Sequence, residues 1–189
     1  MSAQEEADDR LMFHINFVVG NNGAKIVSII TNDTDIFVCL IHHFTKWKCN
    51  GLEELWYVKG KGVSRKVIPL HVVHSNLTPE LVSILPAMHS LTGCDSTSKV
   101  GTKHATMSCS GFFSSISSFG KEPLEMEMIE YAEHFLIHYV ETKSTCTMFD
   151  ELRCKSYFRY GLKADFSKVP CTSSSIQLQI KRAYLQCKR

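Results

Sequence analysis

Lys25 to Leu40, KIVSIITNDTDIFVCL, is the stretch from which the rest of the chain can be read. Ile26, Val27, Ile29 and Ile30 form a short, nearly continuous apolar run, the pattern expected of a strand buried on both faces of a parallel sheet. The run passes into Thr31-Asn32-Asp33-Thr34-Asp35, and a helix is predicted over Ile36 to Phe44. Two carboxylates one residue apart, where a strand ends and a helix begins, occupy the rim at which α/β sheets bind ligands. Such charges repel unless something positive sits between them, which points to a divalent cation. The competing reading is that Asp33 or Asp35 simply caps the helix. Acidic residues at two further strand-end or helix-start positions favour the cation.

Working back from this stretch, Glu5 to Val19 has the spacing of an amphipathic helix, with Leu11, Met12, Ile15, Val18 and Val19 three and four residues apart. Asp8 lies on the same side as Leu11, Met12 and Ile15, so its carboxylate is expected to face the sheet. Asn21-Asn22-Gly23 turns the chain into the strand. Helix, turn, strand and helix together give the rhythm of a three-layer α/β fold.

Working forward, two strand-like runs, Glu54 to Lys59 and Ser64 to Leu70, flank Gly60-Lys61-Gly62 and read as a hairpin. Lys59, Lys61, Arg65 and Lys66 make it basic, either a phosphate contact or a solvated tip. His71 and His74 lack the partners that a zinc site needs. Thr78-Pro79-Glu80 opens a helix that runs through Pro86 to Leu91-Thr92-Gly93-Cys94-Asp95. Beyond it, Lys99, Gly101 and Lys103 stand at a predicted helix start, where backbone amides beside a lysine favour a phosphate oxygen.

These motifs, in this order, resemble the internal part of the flap endonuclease and PIN-like nuclease superfamily. Glu6-Ala7-Asp8 matches its E-A-E carboxylate pair, Asp33-Thr34-Asp35 its D-x-D, and Gly93-Cys94-Asp95 its G-x-D. Ser96 to Ala105, with Gly101 and Lys103, resembles the start of the helical hairpin that grips duplex backbone in that family. The likeness covers residues 5 to 108. The chain also resembles a set of mobile-element-associated animal proteins, which share E-E-A-D-x-R, T-N-D-T-D and L-T-G-C-D with it. The superfamily's first strand, with its own metal-binding Asp, lies upstream of E-A-E, so the resemblance implies an N-terminally incomplete domain. The implied fold class is α/β, a three-layer PIN-like parallel sheet flanked by helices and followed by a helical C-terminal region. The expected domains are 1–110, nuclease-like, then a serine-rich linker, 111–123, and a helical extension, 124–189.

The resemblance implies Mg²⁺ or Mn²⁺ held by Glu6, Asp8, Asp33, Asp35 and Asp95, and a metal-dependent nuclease acting on DNA or RNA. The alternative is a catalytically inactive remnant that binds nucleic acid or protein. A haloacid-dehalogenase-like phosphatase would need a second acidic residue after Gly93 in a pattern this chain lacks. Helices expected over 124–140, 147–160 and 173–187 carry Arg153, Lys155, Arg159, Lys181 and Arg182, a candidate nucleic-acid surface or a solvated face. Residues 143–189 hold ten Lys or Arg against three acidic residues, which leaves residues 1–142 net negative. Eight scattered cysteines without a C-x-x-C pair read as free thiols of a reducing compartment. Neither a signal-like start nor a long apolar window is present, so an intracellular protein, nuclear or cytoplasmic and away from membranes, is expected.

Overall fold

The computed structural model describes residues 7–100, 114, 116–160 and 169–188. The chain divides into two compact units, Met1–Pro86 and Ala87–Arg189. Together the described residues form a small three-stranded mixed sheet and seven α-helices, which places the protein in the α/β class.

In the first unit the order is α1 (Ala7–Gly20), β1 (Ile26–Ile30), α2 (Thr34–Cys49), β2 (Glu54–Lys59), β3 (Lys66–Pro69) and α3 (Leu70–Ser75). Strand β2 is central. It pairs in parallel with β1, Ile26 opposite Glu54 and Ile30 opposite Val58, and antiparallel with β3, Val58 opposite Val67. The parallel pair needs a crossover, which α2 supplies, whereas the antiparallel pair needs only the glycine-rich turn. The hairpin expected from Gly60-Lys61-Gly62 is therefore present, and it makes the sheet mixed rather than parallel.

Alternation along the strands sorts their side chains onto two faces. Val27, Ile29, Leu55, Tyr57 and Ile68 pack with Ile15 and Val19 of α1 and with Leu40, Phe44 and Trp47 of α2. Each large apolar side chain fully buried there contributes roughly 1.5–3 kcal/mol. Trp47 is buried to its indole N–H, which donates to Asn16 Oδ1 at 2.7 Å, so the one polar atom of that ring is satisfied. The opposite face is open: Ile26 is 60% and Ile30 72% exposed, and Val67 is exposed beside them. β1 is thus buried on one face only, contrary to the reading of its apolar run. Among the described residues its only strand partner is β2.

The second unit begins inside α4 (Pro79–Thr92), a helix opened by Thr78, whose Oγ1 accepts from Leu81 N at 3.3 Å. It continues with α5 (Met126–Val140), α6 (Phe149–Tyr160) and α7 (Ser173–Cys187), and α5 packs against both α6 and α7. The core of these helices is apolar, with Phe135, Leu136, Phe149, Leu152, Ile176 and Ile180 buried. Buried polar groups join them. Glu133 of α5 accepts from Phe149 N at 2.9 Å and Gln177 Nε2 at 3.2 Å. Asp150 and Ser173 exchange backbone and side-chain bonds, each at 3.1 Å. Among the described residues no helix is long and apolar enough to cross a membrane.

Candidate metal and phosphate site

The β1–α2 junction is built by local hydrogen bonding. Thr31 N donates to Val58 O at 3.0 Å, the last bond tying this end of β1 to β2. Asp33 then leaves the strand direction, its N donating to Thr31 Oγ1 at 3.1 Å while its Oδ1 accepts from Asp35 N at 2.8 Å. That is an N-cap: a short acceptor satisfies one of the amide donors that a helix start leaves unpaired, and the helix dipole favours its negative charge. The capping reading of Asp33 is thus realised, and it takes one carboxylate oxygen while the charge stays.

The neighbouring elements hold the loop in place. Tyr57 OH donates to Asp33 O at 2.7 Å, and the Tyr57 ring meets Phe37 of α2 edge-on at 5.1 Å. Gly60 N, at the root of the hairpin, donates to Asn32 Oδ1 at 2.7 Å. Gly60 has φ +83°, and a Cβ there would meet Ser64 O at 2.5 Å, so the turn requires glycine. The acidic loop and the basic hairpin are therefore joined at one end of the sheet.

Four carboxylates of this unit act electrostatically on Cys39. Burial pushes its thiol up to about 11, and Asp8, Asp35, Asp9 and Asp33 push in the same direction. Asp8 of α1, half-buried, acts on the same thiol as Asp33 and Asp35. The Tyr57 hydroxyl is likewise raised, first by burial and then by Asp33. The carboxylates of Asp33 and Asp35 are hard oxygen donors, each offering an oxygen within 4.8 Å of the other, and could hold a metal ion. Asp9, Asn32 and Tyr57 were not singled out from the sequence. The adjacency of Asp9 to Asp8 was the one available signal; for Asn32 and Tyr57, only the fold shows which loop they hold.

Glu6, Gly101 and Lys103 lie outside the described residues. Asp95 and Lys99 belong to the second unit and are exposed on the turn after α4. That turn is tightly bonded. Cys94 N donates to Thr97 Oγ1 at 3.0 Å, Thr97 Oγ1 to Ser90 O at 2.7 Å, and Gln179 Nε2 to Ser98 O at 2.5 Å. Gly93 has φ +126°, and a Cβ there would meet Lys99 Cα at 2.6 Å, which accounts for the glycine in Leu91-Thr92-Gly93-Cys94-Asp95. Arg153 Nη1 donates to Pro170 O at 2.6 Å and is half-buried, while Lys181 and Arg182 are exposed on α7. His71 and His74 stand on α3, His71 Nδ1 at 3.1 Å from Leu55 O and His74 Nε2 at 2.8 Å from Thr45 Oγ1. Both are engaged in packing the helix onto its neighbours.

No protein-family model, curated protein or solved structure matches this chain. The functional reading therefore rests on the order of the motifs and on the geometry of the β1–α2 junction.

Proposed function

We propose that the chain is a nuclease-like domain in which Asp33 and Asp35, joined by Asp8 on the order of the motifs, hold a divalent cation, Mg²⁺ or Mn²⁺, against a nucleic-acid phosphodiester. The observation that carries this reading is the Asp33/Asp35 pair where β1 gives way to α2, each offering a carboxylate oxygen within 4.8 Å of the other. A bound cation would activate a water for attack on phosphorus and offset the charge of the leaving oxygen. The residues themselves place hard oxygen donors at the carboxyl end of the parallel strand pair and orient the loop through Tyr57 and Asn32. The motif order assigns Glu6 and Asp95 to the same chemistry, with Lys99, Gly101 and Lys103 on the substrate backbone.

A second reading, a nucleic-acid-binding module without cleavage, is favoured by one observation. Asp33 already commits Oδ1 to the cap of α2, which leaves it less to offer a cation than an uncommitted carboxylate would.

The test uses Asp33→Asn with Asp35→Asn. Asn caps a helix about as well as Asp, so the fold keeps its cap while the charge is lost. The double variant is expected to melt above the parent in the absence of cations, because fewer carboxylates repel. It should also lose the stabilisation that millimolar Mg²⁺ or Mn²⁺ confers on the parent by binding only the folded state. A parent whose Tm ignores both cations would sink the metal site. Cleavage of flap, hairpin or single-stranded DNA and RNA by the parent, abolished in the double variant and in Asp95→Asn, would establish the nuclease. Binding without cleavage would establish the module.

A further inference from the structure

The β2–β3 hairpin carries four cations within eight residues, Lys59, Lys61, Arg65 and Lys66, and all four are exposed. Among the described residues none of them has an ion-pair partner, although Lys25, at the opposite end of the same sheet, is bonded to Glu53 at 2.7 Å. Lys59 and Lys66 are directly opposite each other on the last rung of the antiparallel ladder. Like charges so placed cost the sheet stability, and among the described residues neither lysine is ion-paired with a carboxylate that would offset that cost. An anion from outside would offset it.

The hairpin is also held in shape. Ser64 N and Ser64 Oγ both donate to Lys61 O, at 3.1 and 2.7 Å, and Arg65 N donates to Gly62 O at 3.2 Å, closing a 3₁₀ turn over Gly62–Ser64. Its root is bonded through Gly60 N to Asn32, next to Asp33. Alternation sends Lys59 and Lys66 to the face of Tyr57 and Ile68 and Arg65 to the open face beside Val58 and Val67. The cations therefore straddle a turn fixed to the loop that carries the paired carboxylates, an arrangement that fits a strand of evenly spaced negative charges crossing the sheet end. A single small anion would need only one or two of the four.

We propose that this hairpin is a nucleic-acid clamp: Lys59, Lys61, Arg65 and Lys66 hold successive phosphates of a DNA or RNA backbone, without base specificity, and present the strand to the Asp33 loop. The clamp rests on the nucleic-acid part of the reading above, not on its cation or its chemistry. Its position beside the D-x-D loop is set by the Gly60–Asn32 bond, so the clamp separates into charge, carried by the four side chains, and placement, carried by that bond.

The experiment measures binding of the full chain, in EDTA, to fluorescein-labelled single-stranded dT30 and to a DNA hairpin by anisotropy across a salt series. Variants in which all four cations become Ser, and the reversed pair Lys61→Glu with Arg65→Glu, are compared with the parent after circular dichroism confirms that each folds. Each phosphate contact on a single strand contributes about 0.7 to the log–log salt slope, so loss of four contacts should lower the slope by about 2 to 3. Asn32→Ala should leave that slope nearly unchanged, because the charges remain. Where the parent cleaves in Mn²⁺, Asn32→Ala should slow the cleavage several-fold. An unchanged slope and affinity in both charge variants would overturn the clamp while leaving the metal reading intact. No binding by the parent even at 20 mM salt would overturn the clamp and the nucleic-acid reading together. Binding to polyglutamate but not to either DNA would assign the hairpin to an acidic protein partner and overturn the clamp.

Discussion

The two units use their charged and polar groups in opposite ways. In the second unit these groups hold helices together: Glu133 ties α5 to Phe149 at the start of α6 and to Gln177 of α7, Asp150 ties α6 to Ser173, and Arg153 reaches Pro170. Arg159 is bonded to Glu141 at 2.8 Å. In the first unit the core is almost purely apolar; Lys25 and Glu53 pair at one end of the sheet, and at the other the Asp33/Asp35 carboxylates stand beside hairpin cations that lack ion-pair partners among the described residues. A cation count does not distinguish the two. The basic stretch of the C-terminal half invites a nucleic-acid reading from composition, yet two of its arginines are engaged within their own unit. Charge that a fold does not use internally is the better guide to a ligand, because assembling it costs stability that folding alone does not recover.

Glu133→Leu should give the largest effect. It strands the N–H of Phe149, a residue 1% exposed, and removes the acceptor for Gln177. An unsatisfied buried donor costs about 1–3 kcal/mol, and the lost second bond adds to it, which urea unfolding will register. Glu133→Gln keeps an acceptor and should recover much of the loss. If Glu133→Leu is neutral, the claim that this unit spends its polar groups on its own assembly fails.

A smaller effect is expected from Arg153→Ala, roughly 1–2 kcal/mol, since a charged donor leaves a half-buried carbonyl that water can partly reach. The contrast with the hairpin is sharpened by the second readout. Arg153→Ala should leave the salt slope of nucleic-acid binding where it was, whereas the hairpin variants should lower it without loss of stability. A drop in slope for Arg153→Ala would place phosphate contacts on α6 after all.

The smallest effect concerns pH and belongs to the first unit. His43 of α2 is held below its ordinary value by burial, then by His42 at 5.1 Å between ring centres and by Lys46; His74 of α3 is lowered by burial and by Lys48. With the folded value below the unfolded value of 6.5, the unfolded chain binds more protons in the interval between them. Stability therefore rises with pH through that interval and is lost as pH falls below about 6.5. Melts from pH 7.5 down to 5.5 should show a modest decline that flattens in His43→Gln. An equal decline in that variant would move the sensitivity elsewhere.

Much of this was legible in the sequence because it depends on neighbours along the chain. The caps at Asp33 and Thr78, the hairpin turn at Gly60, and the helix α7 over Ser173–Cys187 follow from local spacing and local hydrogen bonding. So does the side of α1 on which Asp8 lies. The exposure of β1 did not follow from the sequence. Ile26, Val27, Ile29 and Ile30 read as a strand covered on both sides, but a run of apolar residues specifies strand character without specifying what packs on either face. Coverage is decided by contacts with residues far along the chain, and these leave Val27 and Ile29 half-buried against the core and Ile26 and Ile30 exposed. The same holds for the site. Residue type marked Asp33 and Asp35 as candidates, but only the tertiary structure sets Tyr57 and Asn32 to hold the acidic loop and shows which hairpin cations lack ion-pair partners among the described residues.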